Sequence, residues 1–166
     1  MPGAGSAPGH VGLRVRRLGA ADRPAIERHL LGLAPSDRRA RFLGARGDAV
    51  IAAYARALDP SDTILIGAFD AGDRLVGLAE AHPTDTPHLV EVAVSVDPPL
   101  RRRGLGQRLV TCALAVAFAR GARSAEFVFH SDNGALIGLV RAIGGWLGPR
   151  LEHDPEKSLP SDLIRG

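Results

Sequence analysis

The chain holds few of the residues from which several familiar kinds of site are made. It has a single cysteine, Cys112, which excludes an internal disulfide and any cysteine-based metal cluster. Cys112 sits in an apolar segment that reads as helix, where a small buried residue is the ordinary role for a thiol. Aromatic residues make up 4% of the chain, too few to stack on bases, and no helix-turn-helix or RNA-binding signature is present. Nucleic acid is therefore not an expected partner. The six histidines are scattered, and no pair of them has metal-ligand spacing with a third partner, so no metal is expected. The longest apolar run, 109–119, is broken by Thr111 and is too short to cross a bilayer. Residues 1–10 are mostly Gly, Ala, Pro and Ser without an apolar segment, so no secretion signal is read. The expectation is a soluble, cytoplasmic protein with no membrane partner.

Hydrophobic residues make up 45% of the 166, enough for one domain with its own core, built mainly of Ala, Val, Leu and Ile. The net charge of +3 and pI near 9.9 come almost wholly from arginine and favour an anionic partner without choosing one. No internal repeat and no linker is visible. Residues 1–10 read as a disordered tail, 11–151 as one domain, and 152–166 as a polar C-terminal tail.

Alternation of Leu13 and Val15 with Arg14 and Arg16 predicts a strand over 11–18. Asp22 before Arg23-Pro24 predicts an N-cap and a helix over 23–32. Ser36 or Asp37 is expected to cap a short helix to Leu43. A third helix is expected over 48–58, with Val50, Ile51, Tyr54 and Leu58 on its inner stripe. Residues 63–69 and 75–81 read as a hairpin closed by Asp70-Ala-Gly-Asp73, and 89–96 as the next strand. In that strand Val90, Val92, Val94 and Val96 share one face, and Glu91, Ala93 and Ser95 the other. A helix over 103–120 should bury Leu105, Leu109, Cys112, Ala113 and Val116. A strand over 125–129, a helix capped by Asp132 or Asn133 and running to about 143, and a short strand over 146–151 complete the order. The fold class is α/β: a single domain with a mixed, mostly antiparallel sheet and helices on both faces.

The chain is organised around residues 96–110, where the valine-rich strand passes through two prolines into a glycine turn and a helix. Unpartnered N–H groups and the dipole at a helix start favour an anion. Gly104 and Gly106 would let a phosphate approach the backbone, and Arg101, Arg102, Arg103 and Arg108 add charge. The P-loop pattern is absent, and Leu109 stands where a dinucleotide fingerprint needs its third glycine. What matches is Arg101-x-x-Gly104-x-Gly106, preceded by Val96-x-Pro98. This resembles the Arg/Gln-x-x-Gly-x-Gly/Ala pyrophosphate motif of the GNAT superfamily of acetyl-CoA-dependent N-acetyltransferases. The order of elements over about 11–150 is also similar to the GNAT-like acyl-CoA N-acyltransferase fold.

The resemblance implies acetyl-CoA as cosubstrate. It also implies a bulge in the strand before the turn, with Val94, Ser95 and Val96 pairing with the pantetheine arm. Arg101, Arg102, Arg103, Gly104, Leu105, Gly106 and Gln107 would then surround the pyrophosphate. Asn133 looks like the asparagine of the family block Asn-x-x-Ala-x-x-Leu-Tyr-x-x-x-Gly-Phe, which contacts CoA; a plain helix cap is the other reading. Leu139 and Gly144 match that block, but Leu136 replaces its alanine, Val140 its tyrosine and Gly145 its phenylalanine. The missing tyrosine commonly serves as acid to the departing thiolate. Arg38-Arg39-Ala40-Arg41-Phe42-Leu43, a strand glutamate and Ser131-Asp132-Asn133 together resemble the bacterial protein-lysine acetyltransferases.

Glu91 is the candidate catalytic residue, because a glutamate in an apolar strand, if buried, has its pKa raised towards the range of a general base. An exposed strand face is the alternative reading of the same residue. Glu80, His82 and His88 could line the acceptor site, and core packing is the ordinary role for Tyr54. The acceptor is expected to be an amine, either a protein lysine or a small molecule, and a homodimer is common among similar proteins. Two functions stand: an acetyl-CoA-dependent N-acetyltransferase, or a CoA-binding GNAT-like module without catalysis.

Overall fold

The computed structural model describes residues 12–128, 134–142 and 156–159. Among these, six strands form one sheet whose spatial order follows the chain: β1 (Arg14–Arg17), β2 (Ile64–Phe69), β3 (Leu75–Pro83), β4 (Leu89–Val96), β5 (Ser124–Val128) and β6 (Glu156–Leu159). Every neighbouring pair is antiparallel except β4 and β5, which run parallel across a helical crossover. The helices are α1 (Arg23–Leu31), α2 (Pro35–Phe42), α3 (Asp48–Ala57), α4 (Leu105–Ala119) and α5 (Gly134–Ala142).

The sheet buries both faces. On one, α4 lays Leu105, Leu109, Val110, Ala113 and Ala117 against Ile64, Ile66, Val76, Ala79 and Val92, and Val140 of α5 joins the same core. On the other, Ile26 and Leu30 of α1 and Ile51 and Ala55 of α3 pack on Leu65, Phe69, Leu75 and Leu78. Burial on both faces explains why β2 is apolar at all its positions, rather than alternating. The expected α/β sheet with helices on both sides is therefore present. No helix among the described residues is long and apolar enough to cross a membrane.

Several local expectations need correction. Asp22 does not cap α1 with its side chain; its carboxylate takes Arg16 at 2.7 Å and the Gly19 N–H at 2.8 Å. Neither Ser36 nor Asp37 caps α2, which starts at Pro35 with its proline filling the first position. Val50 is 55% exposed instead of lying on the inner stripe of α3. Cys112 and Val116 are half-buried, and Val110 and Ala117 take the deeper places in α4. The β3–β4 register runs unbroken from Gly77↔Val96 to Pro83↔Val90, so the bulge implied for β4 is not in that ladder. Strand β6, in a stretch read as polar tail, pairs with β5 from Ala125↔Leu159 to Val128↔Glu156. The tail over 1–10, Asn133 and the strand expected over 146–151 lie outside the described residues.

Candidate functional site

Beyond β4 the chain turns sharply into α4. The Asp97 N–H bonds Val76 O at 2.9 Å, and a single 3-10 turn follows over Pro98–Leu100. Arg102 (φ 58°) and Gly104 (φ 78°) then both adopt the left-handed conformation and swing the backbone round to the helix. A non-glycine residue held there costs about 1–3 kcal/mol, which the surrounding fold must offset. Leu105, 1% exposed, anchors the helix start in the core, and Arg108 N to Gly104 O at 3.0 Å is a first-turn helical bond. The earliest N–H groups of α4 thus precede its internal ladder and face the turn.

The two glycines serve different ends. A Cβ on Gly104 would meet nothing within 4 Å, so its requirement is the left-handed backbone. A Cβ on Gly106 would come 3.0 Å from Leu139 Cδ1, so this glycine lets α5 pack against α4. Gln107 is exposed on the same first turn. Arg102, Arg103 and Arg108 are exposed and pair with none of the described acids. Arg101 is already engaged: Nε donates to Val96 O at 2.8 Å, and Nη2 meets Asp37 of α2 at 2.8 Å. A hollow of about 370 Å³ opens beside the turn between Arg74, Asp97, Pro99, Leu100 and Arg103.

Next to this turn the described pairing of β4 with β5 ends. The β4–β5 register covers Leu89↔Ser124 to Val92↔Phe127, whereas β4 stays paired with β3 as far as Val96. Ala93, Val94, Ser95 and Val96 therefore present a strand edge that no described strand occupies on the β5 side. Val94 and Val96 pack towards the α4 core, and Ser95 faces the α1 side.

On that second face lies a buried polar group. Glu80 is 1% exposed in the middle of β3, and its carboxylate takes Arg41 of α2 at 2.6 Å, the Tyr54 hydroxyl of α3 at 2.5 Å and His82 Nε2 at 3.1 Å. Arg41 also donates to the Tyr54 oxygen at 2.8 Å, and His82 Nδ1 meets Thr63 Oγ1 at 3.3 Å. Burial alone would raise the Glu80 pKa, but the Arg41 charge and the bonds from His82 and Tyr54 outweigh it and bring it to about 2. The Tyr54 phenol is pushed up, first by burial and then by the Glu80 charge. Glu80 is thus a permanent counter-ion, unsuited to accepting a proton near neutral pH. It ties α2, a helix with no buried residue of its own, to the sheet.

Glu91, the candidate from sequence, is half-buried on the same face, with His82 beside it on β3 and Glu126 beside it on β5. Glu80, rather than Glu91, is the glutamate fully buried in an apolar strand. Residues 75–81 contain one carboxylate in an unbroken buried strand, a stronger sign of a paired charge than a glutamate in a half-buried one. What linear order could not supply was the partners, which come from α2 and α3.

A second polar group sits under α1. His29, whose side chain is 1% exposed, meets Ser95 Oγ through Nε2 at 2.9 Å, and its Nδ1 lies 3.5 Å from Asp97 Oδ1. Asp97 Oδ2 is held by Arg74 at 2.8 Å.

The model of the acetyltransferase (GNAT) family matches residues 29–145. No curated protein sequence matches the chain. Among solved structures, the GNAT domain of S. lividans PAT aligns with a TM-score of 0.72 at 19% identity, covering 89% of this chain and 88% of that one. A GCN5-related N-acetyltransferase from Kribbella flavida aligns at 0.70 and 22% identity, covering 90% and 98%. A phosphinothricin acetyltransferase from Sinorhizobium meliloti, in complex with acetyl-CoA, aligns at 0.63 and 21% identity, covering 82% and 76%. These likenesses show a shared fold.

Proposed function

The chain belongs to the acetyltransferase (GNAT) family, and on that premise we propose that it moves an acetyl group from acetyl-CoA to a primary amine by direct attack in a ternary complex. The observation that carries this reading is the β4 edge at Ala93–Val96, which no described strand occupies on the β5 side, running directly into a left-handed turn flanked by exposed Arg102, Arg103 and Arg108, which pair with none of the described acids. An extended pantetheine arm can pair with that edge as a neighbouring strand would. Its diphosphate then meets the start of α4 and the charges of Arg102, Arg103 and Arg108. The acetyl-CoA complex of the Sinorhizobium meliloti relative supports the same cosubstrate here.

Transfer needs a neutral amine. Freeing a lysine-like amine of pKa about 10.4 near neutral pH costs about 4.6 kcal/mol. Glu91 is the proposed proton acceptor, directly or through water, on the face opposite the α4 core. The main-chain N–H groups of Val94 and Val96 polarise the thioester carbonyl as charge develops on its oxygen. Asn133 is the proposed further contact to CoA. The acceptor is an amine of a protein lysine or a small molecule, selected by the segments 32–60 and 82–88 around this face.

One observation favours the second reading, a CoA-binding module without catalysis. Val140 stands where the family block has tyrosine and is 2% exposed in the core, so no acid is supplied from that position. Calorimetric titration with acetyl-CoA, followed by thiol release with a panel of amines, separates the two. Binding with amine-dependent thiol release supports transfer; binding with none supports the module; failure to bind removes both. Glu91→Gln should lower the transfer rate by about 10²–10⁴-fold and flatten the acidic limb of its pH profile.

A further inference from the structure

Ser95 and Asp97 are two apart at the end of β4, so their side chains project to the same side, and α1 lays His29 over both. The result is a serine, a histidine and an aspartate in line: Oγ to Nε2 at 2.9 Å, Nδ1 to Oδ1 at 3.5 Å. The Asp97 carboxylate pairs with Arg74 at 2.8 Å through its other oxygen. With its proton on Nδ1 the His29 ring faces that carboxylate, and the Leu75 carbonyl is a further acceptor for the ring. This leaves Nε2 as the acceptor and makes the Ser95 hydroxyl the donor, the polarity of an activated nucleophile. Burial pushes the His29 pKa down, which keeps the ring neutral and able to take a proton. The 3.5 Å separation exceeds a hydrogen bond, but an imidazolium would draw the carboxylate in at the moment charge appears. Ser95 also lies within the four residues of β4 that pair with no described residue of β5, beside the edge to which the thioester is assigned above.

Resting on that assignment, we propose that Ser95 is a nucleophile served by His29, and that the protein hydrolyses acyl-CoA thioesters through an acyl-serine when no amine is bound. In the first step Ser95 Oγ bonds to the thioester carbon and the C–S bond breaks. The serine proton passes to His29 Nε2 and from there to the CoA thiolate. In the second step water attacks the serine ester and gives a proton to His29. The ester C–O bond breaks, and Ser95 recovers its proton from the ring. The net reaction is acyl-CoA and water to a carboxylic acid and CoA, with His29 and Ser95 restored.

The test uses the full chain without amine and two acyl donors, acetyl-CoA and p-nitrophenyl acetate, the second of which needs no CoA site. Thiol or nitrophenol release is followed, and quenched samples are digested with trypsin to isolate the peptide of residues 75–101. The expected result is an acetyl group on Ser95 from both donors. Ser95→Ala and His29→Gln should each slow amine-free release by about 100-fold. Ser95→Cys should keep the nucleophile and trap the adduct as a thioester, which separates lost chemistry from lost folding. Binding of acetyl-CoA with Ser95 unmodified by either donor, in wild type and in Ser95→Cys, overturns the nucleophile and leaves the transferase reading standing. Modification by the ester with no binding of acetyl-CoA overturns the substrate assigned here together with that reading.

Discussion

Glu80 and Arg41 form a charge pair that the fold cannot release cheaply. Glu80→Gln leaves Arg41 buried without a counter-ion, and such a loss costs about 3–5 kcal/mol. Urea denaturation should register it as a lower midpoint with an unchanged slope. The same pair sets a pH dependence. The folded pKa of Glu80 is about 2 against an ordinary 4.5, so the unfolded chain takes up the proton first as pH falls. Its contribution is fully present above about 4.5 and is lost between there and about 2. His29 acts in the same direction at higher pH. Its folded pKa lies below the ordinary 6.5, so the unfolded ring protonates first and stability declines as pH drops through that value. Urea midpoints measured across that range should show the decline in wild type and a flatter curve in His29→Gln.

The strands were the elements most readable from sequence, because their cause is local. The span 89–96 emerges unchanged as β4, since an apolar, β-branched run bounded by His88 and Asp97 has little else to become. The start of α4 was less readable. Arg103 and Gly104 stay in the turn, because the left-handed Gly104 ends the approach and Leu105 seats the helix. Strand β6 has no apolar period to announce it, and it is held by main-chain pairing with β5. Gly106 was read as clearance for a phosphate, yet its Cβ position points at Leu139, a contact invisible without α5 in place. A double-mutant cycle makes the difference testable. Gly106→Ala should cost about 1 kcal/mol through overpacking, and Leu139→Ala in the same chain should recover part of it. Gly104→Ala should cost about 1–2 kcal/mol through its left-handed backbone, with no recovery from Leu139→Ala. Additive costs at position 106 would contradict the packing role.

At the scale of the whole molecule, two unrelated requirements meet at one end of the sheet. On the proposed reading the β4 edge admits an extended tail, and the basic turn beyond it takes an anion. A net charge of +3 carried by arginines supplies the attraction, and salt should screen it. Acetyl-CoA affinity should therefore fall as ionic strength rises, and Arg103→Glu together with Arg108→Glu should both weaken binding and flatten that dependence. The strand, turn and helix of the candidate site were legible in sequence from Val94 to Gln107, because they depend on neighbours along the chain. The site was not legible where it depends on α1, α2 and α3 reaching across the sheet, as His29, Arg41 and Tyr54 do.

Amide hydrogen exchange read residue by residue, with and without acetyl-CoA, addresses the opened edge and the turn together. The account predicts new protection concentrated at Val94, Val96 and the first turn of α4, with β1 and β2 unchanged. Saturating acetyl-CoA that leaves those amides exchanging as before would contradict it.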